Sequence, residues 1–186
     1  MNLNVKARGD CVATFRWICV RAMEMLAAWV PTTPEMEVKL VFGSNIWYMA
    51  QHADNFGKRT HELRLPPQHS REPVEAYVRF IADLAATPET DRRVAGFFDC
   101  LLPALGRRYD TYLAQVDVLL DGPTVQILER VKFDLSNMAA EGNALIAELP
   151  AIKLVDAAWL DGQRRLEASI GDVVAANLPA AATSTA

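Results

Sequence analysis

Alternation of apolar and polar residues is missing here: no run is long enough to insist on a β-strand. Histidine and cysteine are scarce, three of each in 186 residues. Cys11, Cys19 and Cys100 are odd in number and show no CxxC spacing, which argues against a disulfide framework or a thiolate metal site and fits a reducing, cytoplasmic setting. They read as small core residues. No basic stripe or long Lys/Arg run occurs, and the formal net charge is -4, so nucleic acid is not an expected partner. The longest apolar runs fall far short of the roughly 20 residues needed to span a bilayer, so no membrane partner is expected either. The first residues, MNLNVKARGD, hold no hydrophobic stretch of the kind a signal peptide needs. G-x-S-x-G, P-loop and dinucleotide fingerprints are all lacking.

What is present is apolar and helical. Half the residues are hydrophobic (51%), enough for one domain with a sizeable core. After a polar lead over residues 1–9, Asp10 is placed to cap a first helix running to about Val30, where Pro31 ends it. Thr32-Thr33-Pro34-Glu35 carries the signals of a second start, and that helix runs to about Arg64 before Pro66-Pro67. A short helix is expected from about Pro73 to Ala86. A third long helix is expected from about residue 89 to Leu120, kinked at Pro103. Asp121-Gly122-Pro123-Thr124 then breaks the chain and opens a fourth, to about Leu149. A short amphipathic helix is expected over 151–168. The domain spans 1–174, and the low-complexity tail, 175–186, reads as disordered.

The stretch Trp47 to Arg64 is the most informative. Asn45, Tyr48, Met49, His52, Asn55, Phe56 and Arg59 recur at spacings of three and four, so they share one helical face. A purely structural helix more often carries Leu and Val there. His52 is either a core histidine bonded to Glu24 or Asp134, or a group that meets a ligand. Glu24 has two readings, a surface pair with Arg21 or an inward carboxylate. Asp134 lies among Ile127, Val131 and Met138, with Arg130 one turn away. Tyr48, Tyr109 and Tyr112 are packing residues or hydrogen-bond donors. Arg59 pairs with an acid of a neighbouring helix or with an anionic ligand. Trp29, Trp47 and Trp159 are packing or interface residues.

Glu24, the W-x-x-x-x-H-A-x-x-x-x-x-R pattern of Trp47, His52, Ala53 and Arg59, and D-x-P-T-x-x-x-L from Asp121 to Leu128 together resemble the ferritin-like superfamily, in particular its uncharacterised bacterial members, over roughly residues 10–148. That resemblance implies an all-α four-helix bundle with a long crossover, containing a short helix, between the second and third helices, and a short C-terminal helix. It also implies a di-iron site built from one Glu on each of two helices and Glu-x-x-His on the others. Glu24 and His52 match that pattern. Met49 stands where the acid before His52 would be, and Asp134 and Asn137 stand where Glu and His would be. A thioether and an amide are poor partners for hard, anionic iron chemistry. The expectation is therefore a lost metal site and no cofactor. The remaining cavity would be lined by Trp17, Glu24, Tyr48, Met49, His52, Tyr109, Tyr112 and Asp134, with Arg59 also binding the occupant, a small molecule. Glu24, His52 and Asp134, with Tyr109 donating, would form an acid–base set for a cofactor-independent lyase or isomerase of bacterial specialised metabolism. Two alternatives remain open: a di-iron oxidase or oxygenase, and a non-catalytic binding or scaffold protein. A homodimer is also left open.

Overall fold

A computed structural model describes residues 3–150, 152 and 155–175. Among these, all regular structure is helical. The helices are α1 (Val5–Trp29), α2 (Met36–Glu62), α3 (Glu75–Ala85), α4 (Thr90–Ala95), α5 (Leu102–Leu113), α6 (Gly122–Glu148) and α7 (Ala157–Ser169). A 3-10 turn, Val30–Thr32, follows α1, and a π-helical stretch, Gly96–Leu101, joins α4 to α5 without a break.

Contacts along the seams give the helix directions. A side chain at Gly9 would meet Leu65 at 3.1 Å, and at the other end of α1 the ring of Trp29 lies 5.5 Å from that of Phe42. Hence α1 and α2 are antiparallel. On α6, Glu141 meets Asn45, Asp134 meets His52 and Thr124 meets Arg59, so α6 is antiparallel to α2. Lys132 pairs with Asp110, and a side chain at Gly142 would strike the ring of Phe98, so the α4–α5 rod is antiparallel to α6. Finally, Phe15 meets Tyr112 and Arg93 lies over Trp29, which makes the same rod antiparallel to α1. The second and third long rods therefore run in the same direction. Joining them needs a connection that returns the length of the molecule, and residues 63–89, with α3 inside, supply it.

Several boundaries differ from the sequence expectation. The first helix starts at Val5, because Asn4 accepts the Ala7 amide at 2.9 Å and caps it. Asp10 is inside the helix, where it pairs with Arg71 at 2.5 Å. The second helix starts at Met36, leaving Pro34 outside, and α3 starts at Glu75 rather than Pro73. The third rod stops at Leu113, seven residues before Leu120. Nor does Pro103 act only as a kink. Lacking an N–H, it leaves the carbonyl of Asp99 without its helical donor, and Arg164 of α7 donates to that oxygen at 3.0 Å. The turn before it widens, so that Leu102 N–H reaches back to Phe97 O. The expected C-terminal helix is observed from Ala157; residues 151, 153 and 154, and the tail from 176 onward, lie outside the described residues.

Candidate functional site

The seam between α2 and α6 positions the central histidine. His52 is 1% exposed, and its Nε2 lies 3.2 Å from Asp134 Oδ2. A carboxylate can only accept, so Nε2 carries the proton and Nδ1 presents a lone pair. Nδ1 is buried and has no partner among the described residues. The same holds for Oδ1 of Asn45, seven residues earlier on the same face. Burial lowers the pKa of His52 from its usual 6.5, while the bond and charge of Asp134 oppose that fall. Arg130, itself exposed, reaches back to both oxygens of Asp134, at 3.1 and 3.3 Å. The two readings of Asp134 thus hold together: it is buried and it pairs with Arg130.

Around this pair the core is filled. Met49, Phe56 and Tyr109 are fully buried. Phe15 stands edge-on to Tyr109 with centroids 5.0 Å apart, and the Tyr109 hydroxyl lies 3.7 Å from Cys19 Sγ. Burial pushes the Tyr109 hydroxyl well above its ordinary range, so it holds its proton. Tyr48 is only partly buried, with its ring 6.4 Å from that of His52. Trp17 is buried on α1 under the guanidinium of Arg21.

Glu24 corrects the expectation of an inward acid. It is exposed and bonded to Arg21 at 2.6 Å. The surface pair with Arg21, the other reading of Glu24, is the one that holds; of its apolar neighbours along the helix Trp17 is buried, while Val20, Ala27 and Ala28 are half-buried or exposed. Trp47, at 60% exposure, lies outside the core, which leaves its interface reading open; with Met36 and Leu40 it marks the outward side of α2. Arg59 and Tyr112 meet elsewhere, on a residue that the sequence marks as a helix start and as the head of the D-x-P-T pattern but not as a site residue. Asp121 is fully buried and accepts from Arg59 Nη2 (2.8 Å), Thr124 Oγ1 (2.7 Å) and the Tyr112 hydroxyl (2.6 Å). Arg8 lies 3.9 Å away. Burial works against the charge of Arg59, but Glu62 and Asp121 outweigh it and its pKa is raised. This hub ties α1, α2, α5 and α6 at one end of the molecule.

The open space lies beside that hub. A groove of about 620 Å³ runs between the first half of α1, the second half of α5 and residues 171–175. Phe15 of α1 and Tyr112 of α5, whose ring centroids are 5.8 Å apart, both border it. The C-terminal segment straps its far side: Val74 N–H bonds Val173 O (3.0 Å), Arg71 bonds Ala175 O (2.7 Å) and Arg108 bonds Gly171 O (2.6 Å). Gly171, at φ +67°, makes the turn out of α7 that allows this path. Cys11 lines the groove with its thiol pushed up to about 12, first by burial and then by Asp172 and Asp10. Of the nine residues expected at the site, only Tyr112 borders this groove. Nothing in the sequence marked it, since its walls come from three distant segments.

The residues at His52 do not fit a di-iron pair. They offer one imidazole and one carboxylate, both oxygens of which are engaged by Arg130, next to the neutral thioether of Met49. Among the described residues no three His, Cys, Asp or Glu side chains gather closely enough to hold a metal ion. No family model, curated protein or solved structure matches this chain.

Proposed function

We propose that the protein is a small-molecule binder of ferritin-like bundle topology whose ligand occupies the groove between α1, α5 and residues 171–175. The observation that carries this reading is an open groove of about 620 Å³, a size that suits a drug-sized ligand, beside a core already filled at His52. Parallel second and third rods joined by a long crossover support the ferritin-like part of the reading. The lining combines Phe15, Leu3 and Val173 with a few polar groups, Gln115, Thr111 and Tyr112, the usual division between affinity and orientation. The test is a fluorescence titration with 1-anilinonaphthalene-8-sulfonate. Binding should weaken at least about tenfold in Ala7→Trp and Val174→Trp, each checked for native helicity, and stay unchanged in His52→Gln. Equal binding by all four proteins sinks the reading.

A second reading keeps an acid–base lyase or isomerase at His52. It is favoured by two buried acceptors without donors, His52 Nδ1 and Asn45 Oδ1, on one face of α2. A lone pair of that kind is a base waiting for a donor. It requires the α2–α6 seam to open. Carbethoxylation of His52 by diethyl pyrocarbonate in the folded protein, at a rate near that of exposed His61, would support it; complete protection of His52 would remove it.

A further inference from the structure

The loop between α5 and α6 carries Leu119, the most exposed large apolar side chain among the described residues, with two further exposed apolar residues beside it. Val118, Leu119 and Leu120 are 63%, 94% and 65% exposed. The loop is nonetheless well built. Leu119 N–H bonds Asp117 Oδ1 at 2.8 Å, Leu120 N–H and Asp121 N–H both bond Asp117 O, and Arg8 holds Leu120 O at 2.8 Å. These bonds hold the backbone of the loop, and its three apolar side chains face out. Nothing in the packing of the helices requires this, and consecutive exposed leucines cost solubility.

Charges of both signs stand at this end, and they differ in whether they are paired. Lys6, in the first turn of α1, and Arg64, just past α2, are exposed at the same end and form no ion pair among the described residues. Of the acids there, Asp121 is buried and bonded to Arg59, Glu62 pairs with the same guanidinium, and Asp117 and Asp172 accept backbone amides of their own turns. Among the described residues, Lys6 and Arg64 are thus exposed cations without an ion-pair partner at the end of the bundle that carries the apolar tip.

We propose that this end of the molecule docks on an anionic lipid surface, with Val118, Leu119 and Leu120 entering the interface and Lys6 and Arg64 meeting the headgroups. An interfacial anchor of this type needs buried apolar area together with cations, not a membrane-spanning helix, and no described helix is long and apolar enough to span. Leu3, whose amide bonds Gln115 O, and Gln115 border both the tip and the groove, so docking brings the groove's mouth to the bilayer. The docking stands on its own observations; that the groove opens toward lipid rests on the groove reading above.

The test is co-sedimentation of the full chain with vesicles of phosphatidylcholine alone and of phosphatidylcholine mixed with phosphatidylglycerol. Binding is expected on the mixed vesicles, weakened by salt and by Lys6→Glu/Arg64→Glu, and reduced at least about tenfold in Leu119→Ser/Leu120→Ser. These surface substitutions leave the core untouched, and native helicity is checked by circular dichroism. A wild-type protein that stays in the supernatant, equal binding to uncharged vesicles, or a serine variant that binds as well as wild type overturns the proposal. So does a particle of twice the chain mass that the serine variant abolishes, which would make the tip a protein contact. Dye binding in the groove is read separately, so loss of one result does not disguise loss of the other.

Discussion

Asp121 and His52 are both buried polar groups, and they respond differently to change. Asp121 is held by three short hydrogen bonds and is the buried one of two acids, with Glu62, that hold the Arg59 guanidinium. Removing it in Asp121→Ala leaves Arg59 with only the exposed Glu62 as an ionic partner and should cost about 3 kcal/mol, read by urea unfolding. Replacing both partners, as in Arg59→Met/Asp121→Leu, should recover much of that loss, because the half-paired buried charge is then gone. If the double variant is no more stable than the single one, the pair is worth more than its desolvation. His52 makes stability depend on pH. Its folded pKa is lowered from 6.5, so the unfolded chain binds the proton more readily. The contribution of neutral His52 is intact above about pH 6.5 and shrinks as pH falls below it, by up to about 1.4 kcal/mol per pH unit until the folded pKa is reached. Urea midpoints at pH 7.5 and 5.5 should therefore lie further apart in wild type than in His52→Gln; equal gaps would remove His52 as their source.

At the scale of elements, the π-helical stretch and the glycines around it are where local rules give way to packing. Gly142 sits inside α6, where alanine is normally favoured by about 1 kcal/mol. A Cβ there would come within 2.5 Å of the Phe98 ring, so Gly142→Ala should destabilise by roughly 1–3 kcal/mol instead. Gly106 in α5 and Gly162 in α7 face open space, and alanine there should gain up to about 1 kcal/mol. Thermal unfolding of the three variants checks the contrast, and a stabilised Gly142→Ala would mean that Phe98 is free to move. The long helices were legible because Pro31, Pro66, Pro123 and Pro150 punctuate them and three- and four-residue apolar spacing fills the intervals. Asn4 and the π stretch were not: a cap depends on one side chain turning back, and the wide turn depends on Pro103 and Arg164, 61 residues apart. Glu24 misled for a related reason. Its neighbours Trp17, Val20, Ala27 and Ala28 are apolar, but only Trp17 of the four is buried.

Across the whole molecule, the α2–α6 seam was legible and the groove was not. His52 and Asp134 were both placed inward from their own helices, and antiparallel packing brings them together. The groove depends instead on how far apart two aromatic-lined helices stand and on where the chain goes after α7, neither of which is a local property. That path is fixed by Glu167, which is 2% exposed and accepts from Arg107 at 3.0 Å and from Arg108 Nε at 2.9 Å. Arg108 in turn holds Gly171 O and lies 4.9 Å above the ring of Tyr77, so one carboxylate fastens α7, the strap and α5 together. Glu167→Ala should release this corner before the rest, since the α1–α2–α6 core shares none of its bonds. Trypsin should then cut after Arg164 or Arg165 much faster than in wild type under native conditions, and dye binding in the groove should weaken. Asp121→Ala, expected to be destabilised to a similar extent through the hub at the other side of the groove, provides the control for global unfolding. If both variants are cut at Arg164 and Arg165 in proportion to their unfolding free energies alone, Glu167 is an ordinary stabilising contact and the strap has no independent latch.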